Sequence, residues 1–314
     1  MIIFIFFYII ISLHGLVFPS TPLFIRSYNH LPQTKQPYTQ KDIIVFVHGL
    51  LDSSETFIDW AHMITKELNK SSDTSERLLL GVDCPGHGQS PKLQPLDYIL
   101  SATKLMETLQ YLFNSTTPRL HLIGHSTGGK LASAFALQYP NITKSIVLID
   151  VLPIKFPSTS WIPINNSLHR ISLIPIHELN HREGIASYLE NIRMPVKLRK
   201  LLLNNLCFCF ETKKFKWNFD IEEIINSSKL IQNFPDISLF ECPTFLGKVL
   251  LLRADKKKSF YAQDKNIDHF KELFPNSNIK YFPNCGHWLH AESPDESAST
   301  VASFLSDVMS SDLY

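Results

Sequence analysis

Four short apolar runs limit what this chain can fold into. Ile43-Ile44-Val45-Phe46-Val47, Arg77 to Val82, Leu120 to Ile123 and Ser145 to Ile149 are too short for helices. Their near-continuous apolar character fits strands buried on both faces. The stretches between them change period. Thr56 to Leu68 sets Phe57, Trp60, Ile64 and Leu68 at helical spacing, and Leu96 to Phe113 directs Leu100, Leu105, Leu109 and Leu112 toward a core. Lys130 to Tyr139 forms a third helix. Strand and helix alternating through short connections specify an α/β chain with a parallel sheet covered on both faces.

The rhythm breaks from Val151 to about Phe245. That stretch is Pro-rich at first and then helical over roughly 177–192, 196–206 and 221–232, with no strongly buried strand. Alternation resumes with a strand at Lys248 to Leu252, a helix near 267–274, a strand near 279–282 and a final helix from Asp295. The expected organisation is one α/β domain over 41–314 carrying a helical cap at about 151–245. A lead-in strand and a Pro-, Thr- and Gln-rich link occupy 21–40. Residues 1–20 are a hydrophobic signal-like or anchor-like segment, because Ile2 to Leu13 is almost unbroken apolar sequence. Its length suits a signal core better than a membrane span, although no Lys or Arg precedes it.

A formal charge of +1, from 30 basic and 29 acidic residues, gives no electrostatic basis for a nucleic-acid partner. Lys256 to Lys258 reads as a solvated loop. The five cysteines, with no C-x-x-C pair, form neither a disulfide framework nor a metal site, so no cofactor or metal is expected. Cys207 and Cys209, flanking Phe208, read as small buried thiols.

The chemistry concentrates at Gly124-His125-Ser126-Thr127-Gly128, a G-x-S-x-G string where a strand meets a helix. Such a turn lifts the Ser126 hydroxyl above the sheet, and the glycines clear space around it. A hydroxyl needs a base to become a nucleophile. Among 13 histidines, His287 has the right place, after the last strand and before the C-terminal helix. His48, His87, His125 and His290 read as neutral structural residues. The acid that orients His287 is either Asp150 or Asp255; both follow strands at the carboxyl end of the sheet, where such sites gather. Asp150 is preferred, and Asp83 lies on the wrong connection. The amides of Leu50, in the His48-Gly49-Leu50 loop, and of Thr127 are the expected oxyanion donors, each worth roughly 3–4 kcal/mol in a transition state.

Longer strings carry a family resemblance. Gly124 to Lys130 (GHSTGGK), Ile149 to Pro153 (IDVLP), Arg193 to Leu206 (RMPVKLRKLLLNNL) and Gly286 to Ala291 (GHWLHA) resemble the α/β-hydrolase superfamily. The chain looks most similar to the alpha/beta-hydrolase domain-containing protein 11 family and its small bacterial esterase relatives. The resemblance implies an α/β-hydrolase fold, a mostly parallel sheet with helices on both faces and a helical cap inserted after the sixth strand. It also implies a serine esterase or lipase without cofactor, with Asp150 as the acid, since bacterial relatives lack an aspartate near position 255. Animal members of the family are tied to mitochondria, although the N-terminus here is not an amphipathic Arg-rich presequence.

The expected reaction is acyl transfer through Ser126, His287 and Asp150 on a small or lipid-like ester. Thioester hydrolysis and a non-catalytic binding role for the same fold are the alternatives. Phe156, Trp161, Leu173, Phe208 and Trp217 are the expected acyl-chain pocket, and the N-terminal run offers a route to membrane association.

Overall fold

The computed structural model describes residues 21–29, 42–70, 77–113, 119–179, 181–254 and 265–311. The N-terminal apolar run, the 31–40 link, Asp255 and Lys256 to Lys258 lie outside the described residues. Seven strands form one sheet: β1 (Ile25–Ser27), β2 (Asp42–Val47), β3 (Arg77–Val82), β4 (Arg119–His125), β5 (Thr143–Ile149), β8 (Lys248–Ala254) and β9 (Ser277–Phe282). Their order is β1-β3-β2-β4-β5-β8-β9. Only β1 runs antiparallel to its neighbour in this sheet. Every residue of β2 and β3 is buried, as strands covered on both faces require.

Two apolar layers flank the sheet. On one face pack α2 (Tyr98–Phe113) and α3 (Thr127–Gln138), together with Phe270 of α9 (Lys265–Leu273). On the other pack α1 (Ile58–Leu68) and α11 (Pro294–Ser311), joined by a hydrogen bond of 3.0 Å from Trp60 Nε1 to Ser297 Oγ. In α2 the buried stripe runs through Tyr98, Ala102, Leu105, Leu109 and Phe113. Leu100 and Leu112, expected inside, are exposed at 44% and 41%. Small and polar residues, Ser101, Ala102 and Thr108, turn the helix so that its tightest face meets the sheet.

Between β5 and β8 the chain forms α4 (Ser158–Ser172), α5 (Arg182–Asn191), α6 (Val196–Asn204), the antiparallel hairpin β6 (Leu206–Cys209) and β7 (Lys214–Trp217), α7 (Ile221–Asn226) and α8 (Ser228–Gln232). This insertion follows the fifth described strand rather than a sixth, because the count carried by the resemblance holds one strand more than the described residues do. Two of its elements depart from expectation. Helix α4 forms although Pro163, the sixth of its 15 residues, lies inside it and removes one helical N–H donor. The hairpin carries no buried apolar run. Its Cys207 and Cys209 are half-buried rather than buried thiols.

Candidate active site

Strands β2, β4 and β5 end side by side, and each hands the chain to a residue at the carboxyl edge of the sheet. Ser126 follows β4 with φ 53° and ψ −123°. Its turn is possible because two neighbours lack side chains. A Cβ on Gly124 would stand 2.4 Å from the Gly128 carbonyl oxygen, and one on Gly128 would stand 2.3 Å from that of Val47. Such spacings exclude any larger residue. Thr127 opens α3, where a first-turn N–H has no partner inside the helix. Leu50, beyond β2, lines the same cavity as Ser126 and Thr127. The next amide, Leu51 N–H, is already committed to His87 Nε2 at 3.3 Å.

Asp150 follows β5 at φ 47° and is 1% exposed. Its own N–H donates to Leu252 O at 2.8 Å, and its Oδ1 accepts from Ala254 N–H at 3.1 Å. Oδ2 lies 2.9 Å from His287 Nδ1. A neutral His287 therefore carries its proton on Nδ1, which leaves the Nε2 lone pair as the acceptor. Ser126 and His287 line the same cavity. Asp83, 1% exposed, instead accepts from Ser54 and Gln89 N–H at 2.7 and 2.9 Å, bracing loops away from His287.

The histidines around the site are structural in a specific sense. His48 Nε2 accepts from Cys84 N–H at 2.9 Å while its Nδ1–H donates to Gly49 O at 2.8 Å. His87 donates through Nδ1–H to Pro85 O at 3.0 Å. Both therefore work as neutral rings, and burial pushes both below the usual imidazole range, His87 to about 4. His125 closes the arrangement. Its Nε2–H donates to the backbone carbonyl of His287 at 3.0 Å, and its ring lies 4.7 Å from those of both His287 and His290. Sequence reasoning missed this tie; the one available signal was that His125 adjoins Ser126 within the motif. It also missed Asp52, which accepts from Ser53 N–H at 2.9 Å, Thr56 Oγ1 at 2.5 Å and Asn205 Nδ2 at 3.2 Å. Through Asp52 the loop after β2 is fastened to the end of α6.

The cavity above these groups has a volume of about 410 Å³, within the range of small-ligand sites. Phe156, Trp161, Ile164 and Leu168 form one side, Leu198 and Leu201 of α6 another, and Ile231 of α8 contributes with Trp288. Of the five residues expected to hold an acyl chain, Phe156 and Trp161 line it. Leu173 is 78% exposed and Phe208 39% exposed, while Trp217 faces a separate cavity beside Phe219. Helical spacing and apolar character could not tell a cavity wall from an outer face. Among the described residues no cluster of His, Cys, Asp and Glu could hold a metal ion.

Comparisons with known proteins bear on the fold and the family. The family model described as "alpha/beta hydrolase fold" matches residues 42–294. The "sn-1-specific diacylglycerol lipase ABHD11" of Danio rerio is 29% identical over 266 residues, 83% of this chain and 78% of that protein. The "Abhydrolase domain-containing protein C22H12.03" of Schizosaccharomyces pombe is 27% identical over 277 residues, 84% of this chain and 92% of that one. The solved structure of a "Marine microorganism esterase" superposes with a TM-score of 0.77 at 24% identity, covering 91% of this chain and all of the other. The sheet, the turn at Ser126 and a family match spanning most of the sequence lead to one conclusion: this chain belongs to the α/β-hydrolase superfamily, near ABHD11 and the bacterial esterases.

Proposed function

We propose that the protein is a serine hydrolase that cleaves a carboxylic ester of an acyl-chain substrate. The observation that carries this reading is the 2.9 Å hydrogen bond from His287 to buried Asp150, made beside a cavity that Ser126 also lines. In the proposed reaction His287 Nε2 takes the Ser126 proton as Oγ attacks the ester carbonyl. The Leu50 and Thr127 amides receive the oxyanion. The imidazolium then protonates the leaving alcohol, and the same base activates water to release the acid. Asp150 keeps the ring in its productive tautomer and stabilises the imidazolium. The apolar cavity fits an acyl chain, and the diacylglycerol lipase named among the relatives supports a lipid-like ester.

Labelling with a fluorophosphonate tests the reading. Wild type is expected to react and Ser126→Ala to stay unlabelled and inactive on p-nitrophenyl esters. Equal labelling of the two proteins, or none of wild type beside a reactive control hydrolase, would overturn it. Matched oxygen and sulfur esters of one acyl chain separate esterase from thioesterase activity, and faster turnover of the oxygen ester is expected.

A further inference from the structure

The hairpin β6–β7 forms a two-stranded sheet of its own, apart from the seven-stranded one. Phe208 and Phe215 are paired across it and therefore share one face. Phe210, at the turn, packs edge-on against Phe208 with ring centroids 5.2 Å apart. Phe208 also meets Phe215 at 5.1 Å. Phe215 is half-buried against the core, but burial does not explain Phe210, 83% exposed, or the 39% of Phe208 that is exposed. On the opposite face Lys214 and Lys216 stand across from Cys209 and Cys207, and Lys213 sits at the turn. All three lysines are exposed and make no ion pair among the described residues.

Charge separates this region from the rest of the molecule. Residues 193–217 hold seven cations against the single carboxylate Glu211, in a chain whose totals are 30 and 29. Two of the seven, Lys197 and Arg199 on α6, are paired with Glu292 and Glu190. Five cations remain, Lys200, Arg193 and the hairpin lysines; Lys216 shares a cavity with Asp220 and Glu222, whereas Lys213 and Lys214 stand at the turn beside the exposed Phe210. A symmetric contact between two copies would set these cations against one another. An anionic surface would receive them.

We propose that the hairpin docks the protein onto an anionic lipid bilayer. The Phe210 ring and the exposed edge of Phe208 enter the interfacial layer, where aromatic side chains partition well. A two-stranded ribbon is thin, so the lysine stems on its other face reach the phosphates of the same headgroup layer. Helix α6 connects this contact to the site: Leu198 and Leu201 line the cavity, and the helix leads into β6 through Asn205. Docking would bring the cavity wall to the surface where lipid-like esters reside. The contact itself does not depend on the assignment of Ser126, because it is read by binding.

Sedimentation of the full chain with vesicles tests the proposal, using phosphatidylcholine alone and phosphatidylcholine with about 30% phosphatidylserine. Binding is expected to be about tenfold tighter on the anionic vesicles and to weaken at about 0.5 M salt. The N-terminal apolar run has no Lys or Arg, so any hold it contributes is the same on both vesicles. The double variant Lys213→Glu/Lys214→Glu is expected to lose the anionic preference. Phe210→Ser should weaken binding to anionic vesicles several-fold. Both variants should keep wild-type melting and wild-type hydrolysis of a soluble p-nitrophenyl ester. Wild type with no anionic preference, or charge-reversed protein that retains it, would overturn the proposal. Self-association that is lost in Phe210→Ser, without vesicle binding, would assign the face to a second copy instead.

Discussion

Ser126, Asp150 and His290 each sit in a state that an isolated amino acid avoids, and each is held there by its neighbours. Ser126 and Asp150 have positive φ, a conformation that costs a non-glycine residue on the order of 1–3 kcal/mol. Asp150 repays it by reaching Ala254 N–H and His287 Nδ1 at once. Asp150→Asn should therefore leave the fold intact and lower kcat by about 10³–10⁴-fold, as expected when the ring loses its tautomer. Asp255→Asn is expected to change kcat far less, and steady-state kinetics on both variants would show the reverse if Asp255 were the acid. His290 is 2% exposed, with both ring nitrogens unpartnered among the described residues. It packs against Phe57, Trp60 and His125. Burial, reinforced by His287, lowers its pKa to about 3. The unfolded chain takes up this proton first as pH falls below about 6.5. Stability present at neutral pH is then lost by about 1.4 kcal/mol per pH unit, until the folded ring also protonates. Denaturant titrations between pH 6 and pH 4.5 are expected to show a shallower slope for His290→Phe than for wild type. His87, at about 4, keeps its own share of that slope.

At the scale of elements, α8 and the residues just after it are tied to the core by buried side chains. Lys130 Nζ donates to the carbonyls of Gln232 at 2.9 Å and Asn233 at 3.3 Å, with Ile231 at 3.5 Å. Tyr98 Oη donates to Ile231 O at 2.8 Å. Burial drives the Lys130 ammonium down to about 7, whereas the carbonyl oxygens around it favour the charged form. Lys130→Met keeps the stem and removes the donors. It is expected to destabilise the protein by about 2 kcal/mol, read as a lower melting temperature, and to raise KM because Ile231 lines the cavity. Little of this was legible beforehand. The core strands and helices could be read because they carry strong hydrophobic periods. Ser126, His287 and Asp150 could be singled out because each follows such a strand. In the insertion, α4 was hidden by Pro157 and Pro163, and the hairpin by strands of only four residues each. The Lys130 tie joins residues a hundred positions apart, a distance that no local pattern spans.

For the whole molecule, the site is a seam between the sheet and the insertion, so a ligand that fills it stabilises both. A series of alkyl fluorophosphonates tests this. The melting temperature of the adduct should rise with chain length, at about 0.8 kcal/mol per buried methylene, and level off once the cavity is full. A flat series would place the alkyl chain in solvent. The insertion also leaves the sheet from β5 and returns on β8, and those strands are direct neighbours. Because the two run parallel, its ends lie at opposite edges of the sheet: Lys248 is level with Ser145, five residues before Asp150, roughly 17 Å along the strand. A segment that leaves at the carboxyl edge and returns at the opposite one must both roof the site and descend the height of the sheet. A relative's segment with the same end-to-end gap could be grafted between Asp150 and Lys248, giving the hydrolase a new roof while the groups beneath it keep their foundations.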